Sequence, residues 1–170
     1  LEANQVKNAA VGFGVISLLA ALIGVNDQAS LFFDSYRIDL YSQLFKLLIA
    51  FGLTVALIFG RELKDIDEEV RPEYYLFLLL SALGLMMLVS SVELITIFVS
   101  LELSSFALYL LVPMRSDARG MRIQMEAGIK YILFGVMATG FMLFGMSYLF
   151  GLTGTTYLQE ILAALPQAPQ

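Results

Sequence analysis

Three long stretches of this chain carry no formally charged side chain. They cover residues 8–26, 74–92 and 131–159, which makes 19, 19 and 29 residues in turn. Two further apolar segments, 40–60 and 94–114, each contain one charge. Because a helix needs about 20 apolar residues to cross the hydrocarbon core of a bilayer, all five segments are long enough to span a membrane.

These segments predict an all-α integral membrane protein, a polytopic bundle of about five transmembrane helices. Exposed strands are excluded, since unpaired backbone groups in lipid cost several kcal/mol each, and the period-2 alternation of a membrane barrel is missing. A short amphipathic tail helix over residues 155–165 is expected to begin at Thr156 as its capping residue. The predicted spanning helices cover residues 8–25, 39–60, 74–92, 94–113 and 127–150.

The composition narrows the possible chemistry. Hydrophobic residues make up 59% of the chain and charged residues 15%, whereas soluble domains carry about a quarter charged residues. Cysteine and histidine are absent, so thiolate chemistry, the usual zinc ligands and a Ser-His-Asp triad are excluded. A net charge of −5 disfavours nucleic-acid binding. We therefore expect no cofactor and no metal within this chain.

The basic residues predict an orientation. Seven of them fall in connections on one side of the predicted membrane, and only Arg37 falls on the other. By the positive-inside rule, the chain should begin on the cytoplasmic side. The seven are Lys7, Arg61, Lys64, Arg71, Arg115, Arg119 and Arg122.

Glu102 is the strongest candidate for a functional residue. It lies nine residues into its predicted helix, close to the bilayer midplane, where a charge costs at least about 2.5–3.5 kcal/mol. A glutamate is too short to reach either surface from that depth. It can serve as a proton or cation site, with Ser105 and Tyr109 on the same helix face. The alternative is a structural glutamate that hydrogen bonds neighbouring helices.

Three other ionisable residues lie in or beside the predicted helices. Two of them, Lys46 and Lys130, each have a surface interpretation and a functional one. Lys46 lies two turns into its helix, and its ammonium group can either reach the near surface or join an interior polar chain. Lys130 follows Glu126 by four residues, a spacing that favours a surface salt bridge, with a transport role as the alternative. Glu93 is expected to be a solvated carboxylate at the membrane surface.

Several motifs in order resemble a known family. Residues 73–161 resemble the antiporter-like membrane subunits of respiratory complex I, and within them the subunit N group of NADH-quinone oxidoreductases. The segment before Glu73 is similar more loosely, through Phe45 and Lys46. The motifs are Glu73-Tyr74-Tyr75, Leu83-Gly84-Leu85-Met86-Met87, Ser100-Leu101-Glu102-Leu103-Ser104-Ser105, Leu108-Tyr109-Leu110-Leu111-Val112, Glu126-Ala127-Gly128-Ile129-Lys130-Tyr131, Phe134-Gly135 and Gly151-Leu152-Thr153-Gly154.

The resemblance implies a role for Glu102 and a place for the chain in a larger subunit. Glu102 matches the family's glutamate on the fifth helix, which pairs with a lysine on the seventh helix to load and move protons. Residues 1–170 would form a partial antiporter-like transmembrane domain, with helices two to six of fourteen. The seventh-helix lysine and the histidine-bearing segment after it have no match, so we expect a fragment that does not pump protons alone.

The function expected from the resemblance is proton translocation within a complex I-type enzyme of a bacterial inner membrane. NADH, FMN, iron–sulfur clusters and quinone would be bound by other subunits, and the partners would be neighbouring membrane subunits and lipid. Two alternatives remain open. One is a subunit of a multisubunit sodium/proton antiporter, and the other is a membrane scaffold in which Glu102 only joins helices.

Overall fold

A computed structural model describes residues 3–60, 66–114 and 121–165. Five of its helices are long and apolar enough to cross a membrane, which confirms the predicted all-α membrane bundle. The spanning helices are α1 (Ala3–Ile23), α2 (Leu40–Phe59), α3 (Arg71–Leu88), α4 (Leu94–Leu111) and α5 (Met121–Thr153), followed by the short α6 (Leu158–Ala164). Four of the basic residues used to predict orientation, Arg61, Lys64, Arg115 and Arg119, lie outside the described residues.

Helix α5 differs most from its predicted range. It contains 33 residues, whereas the prediction covered only 127–150. The additional first turns include Arg122 and Glu126, which are good helix formers. Because both are charged, they lie outside the uncharged run from which the helix was predicted. α5 therefore begins well before its apolar part.

A β-hairpin that the sequence analysis did not predict joins α1 to α2. Its strands, β1 (Ala29–Leu31) and β2 (Tyr36–Ile38), pair antiparallel in a two-stranded sheet. Phe32, Phe33 and Asp34 in the connecting loop all have positive φ, a conformation that costs non-glycine residues energy. A hydrogen bond from the Ser30 hydroxyl to the Asp34 carboxylate holds this loop closed.

Backbone hydrogen bonds tie three connections together at one end of the bundle, which we call the hairpin end. Arg37 N donates to Ser90 O over 2.7 Å, linking the hairpin to the α3–α4 connection. On its other side, the connection is joined to the start of α6, where Leu158 N donates to Val92 O over 3.1 Å. The first residue of α4 makes a similar bond, in which Leu94 N donates to Thr156 O over 2.9 Å. The α3–α4 connection thus forms the centre of the hairpin end.

Helices α3 and α4 approach closely because small residues line their contact. Gly84 lies against the backbone of α4, and the Ser81 and Ser104 hydroxyls are 3.0 Å apart across the interface. Ser100 is fully buried, and its hydroxyl lies 3.3 Å from that of Ser91. Small residues and hydroxyl pairs are the usual means of helix association in lipid, where the hydrophobic effect does not drive it.

The remaining spanning helices are packed to different extents. Helices α1, α2 and α3 share a cluster of buried residues formed by Ala10, Leu53, Leu57, Tyr75 and Ala82. Helix α5 contacts α4, but no residue in its most apolar stretch is buried. α5 is therefore the least enclosed spanning helix of the described bundle.

Glu93 corrects one prediction. It is buried and caps the start of α4, where its Oε2 accepts hydrogen bonds from Thr96 N over 2.8 Å and from Thr96 Oγ1 over 2.7 Å. Burial raises the pKa of this carboxyl, but hydrogen bonds from the Thr156 and Thr96 hydroxyls and from backbone N–H groups lower the pKa below 4.5 overall. The expectation of a solvated carboxylate was wrong, because the tight hairpin end encloses it.

The start of α6 also differs from the prediction. Its capping residue is Tyr157, which makes no side-chain cap hydrogen bond, so the expected cap at Thr156 was wrong. The backbone carbonyl of Thr156 instead accepts a hydrogen bond from Leu94 N, and the Thr156 hydroxyl donates a hydrogen bond to the Glu93 carboxylate. The polar groups of Thr156 therefore bond residues at the start of α4 and do not cap α6.

Replacing Gly84 with alanine tests the close packing of α3 on α4. An added Cβ would stand 2.6 Å from the backbone nitrogen of Ser104 and 2.9 Å from the carbonyl oxygen of Ser100. The two helices must then move apart, so we expect the free energy of unfolding to fall by about 1–3 kcal/mol. Thermal unfolding of the full-length protein in detergent measures this loss.

Gly52→Ala is the matched control, because a Cβ on Gly52 meets no atom within 4 Å. The higher helix propensity of alanine should leave this variant at least as stable as the parent. Equal losses of stability in Gly84→Ala and Gly52→Ala would contradict a specific clash between α3 and α4.

Replacing Glu93 with glutamine tests the buried cap. Because the folded-state pKa lies below the ordinary value of 4.5, ionised Glu93 stabilises the fold above that pH, and this stabilisation is lost as pH falls through the folded-state pKa. At neutral pH we expect Glu93→Gln to lower the free energy of unfolding by about 1 kcal/mol, and the difference from the parent should shrink in acid.

Unfolding temperatures at neutral and at acidic pH check this expectation. Glu69→Gln, which removes an exposed carboxylate in the turn before α3, should behave like the parent. A stability difference for Glu93→Gln that stays constant down to the acid limit would show that the charge of Glu93 does not contribute.

Candidate functional site

Glu102 lies at the middle of α4, the ninth of its 18 residues. Its side chain is half-buried, and its Oε1 accepts a hydrogen bond of 2.7 Å from Thr139 Oγ1 on α5. A carboxyl group at this depth needs a polar partner, because lipid and apolar side chains offer none. The contact between α4 and α5 supplies one.

The face of α5 that carries Thr139 forms a narrow stripe along the helix. Its half-buried residues alternate in spacing between three and four, the pattern of a helix that packs along one seam. We call this stripe the α5 seam. It consists of Gly135, Thr139, Met142, Met146, Leu149 and Thr153.

Tyr109 meets the same seam one turn away from Thr139. It follows Glu102 by seven residues, and its hydroxyl lies so close to Gly135 that a Cβ there would stand 2.0 Å from the phenolic oxygen. Its ring also contacts Tyr131, with centroids 5.1 Å apart. Tyr109, predicted to share the face of Glu102, thus faces α5 as Glu102 does.

Lys130 pairs with Glu126 on its own helix. The ammonium group hydrogen bonds the carboxylate one turn earlier, and the two side chains are 64% and 56% exposed. This is the surface salt bridge that the spacing favours. Lys130 lies nine residues before Thr139 on α5, so the pair lies toward the end of the bundle opposite the hairpin.

Lys46 contacts an aromatic ring at the hairpin end. Its Nζ lies 4.9 Å from the centroid of Tyr36, a cation–π arrangement. Since Lys46 lies in the second turn of α2 and Tyr36 in β2, the lysine stem carries the charge toward the near surface. The contact favours the surface interpretation of Lys46 over an interior polar chain.

The structure thus brings Glu102 together with Thr139 and gives Lys46 and Lys130 other partners. Within the described ranges, no group of three or more carboxylate, histidine or cysteine side chains could hold a metal ion. What the arrangement offers is one carboxyl group in apolar surroundings with a hydroxyl beside it. Such a site can bind and release a proton.

Thr139 was missed in the sequence analysis. It belongs to none of the quoted motifs, and a threonine within an apolar helix is unremarkable by itself. The available signal was indirect: α4 and α5 are consecutive and therefore antiparallel, and Thr139 follows Gly135 by one turn. Only the register of the two helices shows that this position lies opposite Glu102.

Comparison with known proteins places this architecture. Residues 91–170 match the family model described as NADH:quinone oxidoreductase/Mrp antiporter, TM. The chain is also similar to a structure of respiratory complex I from Thermus thermophilus with bound aureothin. The match has a TM-score of 0.77 and 30% identity, and it covers 93% of this chain and 34% of that one.

Curated relatives give the same result at higher identity. The chain is 52% identical over 162 residues to NADH-quinone oxidoreductase subunit N 2 of Opitutus terrae, covering 95% of this chain and 33% of the relative. It is 46% identical over 154 residues to the protein of that name from Solidesulfovibrio magneticus, covering 91% and 32%. The chain spans about a third of the length of these relatives.

The chain therefore belongs to the family of antiporter-like membrane subunits of NADH:quinone oxidoreductases. Within that family its curated relatives carry the name subunit N. The resemblance inferred from the motifs is confirmed.

Replacing Gly135 with alanine tests whether the Tyr109 contact holds α4 against α5. The added Cβ would overlap the Tyr109 hydroxyl, so either the ring or the helix must move. We expect a fall of about 1–3 kcal/mol in the free energy of unfolding, measured by thermal unfolding of the full-length protein in detergent. Combining the change with Tyr109→Leu, which shortens the side chain, should restore part of the loss.

Gly140→Ala on the same helix is the control, since a Cβ there meets nothing within 4 Å. It should leave stability unchanged or slightly raised. If Gly135→Ala and Gly140→Ala are equally stable, the approach of Tyr109 to α5 does not contribute to helix packing.

Proposed function

We propose that the chain is part of a membrane-arm subunit of a proton-translocating NADH:quinone oxidoreductase. In this role it contributes to a proton channel that is coupled to electron transfer from NADH to quinone. The curated relatives named subunit N support the proposal, as does the similarity to a respiratory complex I structure. Because the chain spans about a third of the length of these relatives, we assign proton translocation to the whole protein and not to this part alone.

Glu102 is the residue to which we assign proton transfer. The observation that carries this assignment is a carboxyl group at the middle of a spanning helix, half-buried, with the Thr139 hydroxyl as partner. Intramembrane carboxylates commonly lie on ion and proton paths. Lys130 and Lys46 are secondary candidates, since each ammonium group has a partner of its own.

The proposed setting follows the family. We infer a bacterial inner membrane with α1 beginning on the cytoplasmic side, so that the hairpin end faces away from the cytoplasm. NADH, FMN, iron–sulfur clusters and quinone would be bound by other subunits, and neighbouring membrane subunits would be the protein partners. The exposed apolar surface of α5, which includes Phe134, Phe141 and Phe144, is compatible with an assembly of this kind.

A subunit of a multisubunit sodium/proton antiporter is the second candidate. The matching family model covers both kinds of system by its description, and the same intramembrane carboxyl group would serve either. Purification of the full-length protein from its native membrane separates them. Co-isolation with flavin and iron–sulfur subunits supports the oxidoreductase, and their consistent absence supports the antiporter.

Glu102→Gln in the full-length protein tests the proton-transfer assignment. Glutamine keeps the shape and a hydrogen-bond acceptor but cannot bind and release the proton, so proton uptake coupled to quinone reduction should fall at least about tenfold. Uptake is measured with the assembled complex in sealed vesicles, together with the rate of quinone reduction.

Glu69→Gln is the control, because Glu69 is exposed in the turn before α3 and should leave proton uptake unchanged. Unchanged stoichiometry and rate in Glu102→Gln would overturn the assignment. If Glu102→Gln lowers the yield of assembled complex while the complexes that do form pump fully, Glu102 acts as a scaffold residue.

A further inference from the structure

Thr139 makes an unusual hydrogen bond for a threonine in a spanning helix. Hydroxyls of threonine within helices commonly donate to the carbonyl oxygen four residues earlier. Thr54 on α2 does so with Ala50 O over 2.8 Å, and Thr153 on α5 does so with Leu149 O over 2.8 Å. Thr139 instead donates a hydrogen bond to Glu102 on the neighbouring helix.

This choice of partner follows from where the two residues lie. Thr139 is half-buried on the α5 seam, and Glu102 Oε1 is 2.7 Å from its hydroxyl oxygen. A hydroxyl has one proton, so the bond to Glu102 takes the place of a bond to the carbonyl group of its own helix. An ionised carboxylate oxygen is a stronger hydrogen-bond acceptor than a backbone carbonyl oxygen, especially in a medium of low dielectric constant.

A hydroxyl is suited to a carboxyl group that changes its protonation state. It donates to an ionised carboxylate and accepts from a protonated carboxylic acid, so one neighbour can serve both states. An ammonium or amide N–H partner could only donate. The Thr139 hydroxyl can therefore hold the carboxyl group in one orientation while the proton arrives and leaves.

We propose that Thr139 is a positioning residue for Glu102, holding its carboxyl group toward α5 in both protonation states. The proposal rests on the proposed function, because it concerns proton exchange at Glu102. The contact of Tyr109 with Gly135, one turn from Thr139, keeps α4 and α5 in the register that joins the two side chains.

The test compares Thr139→Val, which keeps the shape of the side chain and removes the hydroxyl, with Thr139→Ser, which keeps the hydroxyl. Both are made in the full-length protein in its assembled complex. Two quantities are measured: proton uptake coupled to quinone reduction, and the infrared C=O stretching band of Glu102, identified as the band that Glu102→Gln removes. Thr54→Val is the matched control, since it removes a threonine hydroxyl that bonds only its own helix.

We expect Thr139→Val to lower proton uptake about tenfold, because small misplacements of a reacting group are costly. It should also shift the Glu102 band. Thr139→Ser should restore both quantities to near the parent values, and Thr54→Val should change neither. If Thr139→Val assembles poorly, Thr139→Ala provides a second variant without the hydroxyl and must show the same band shift.

Three results would overturn the proposal: an unshifted band in both hydroxyl-free variants, a Thr139→Ser variant as impaired as Thr139→Val, or an equal loss in Thr54→Val. The band separates this proposal from the function itself. Should Glu102→Gln pump normally, the proton-transfer role fails, while a band shift in Thr139→Val would still show that Thr139 positions the carboxyl group.

Discussion

The structure is governed by the cost of leaving a polar group unpaired in lipid. Hydroxyls in the spanning helices meet this cost in two ways. The Thr54 and Thr153 hydroxyls donate hydrogen bonds to carbonyl groups of their own helices, while Ser81 and Ser104 pair across α3 and α4. Glu102 cannot use the carbonyl groups of its own helix in this way, because an ionised carboxylate and a carbonyl oxygen are both acceptors and the carboxylate needs a donor. In this structure the donor comes from the neighbouring helix and is the Thr139 hydroxyl.

Close approach of helices makes these pairs possible, and glycine provides it at two places. Gly84 allows the backbone of α4 to come within contact of α3, which brings Ser81 to Ser104. Gly135 leaves room for the Tyr109 hydroxyl on the α5 seam. On the same helix, a Cβ added to Gly140 or Gly145 would meet no atom within 4 Å. The position of a glycine relative to the neighbouring helix, not its presence, determines its contribution.

The sequence predicted the spanning helices well, because long uncharged runs have few other structures available to them in lipid. It also identified Glu102 as the unusual residue. It missed the hairpin, whose strands have only three residues each, and it wrongly placed Glu93 in solvent because exposure was inferred from position between helices. Thr139 could not be found, since its partner lies 37 residues away and depends on the register of two helices.

The choice of partners also explains why a neutral hydroxyl beside Glu102 matters. The ammonium groups of Lys130 and Lys46 lie with Glu126 and Tyr36, so neither is the partner seen at Glu102. A fixed cation would favour the ionised carboxylate strongly and would have to be displaced, or lose its own proton, for the carboxyl group to take one up. The Thr139 hydroxyl stabilises either form through the same short contact. A carboxyl group held in this way keeps the same hydrogen-bond partner in both protonation states, whether or not a cation stands near it.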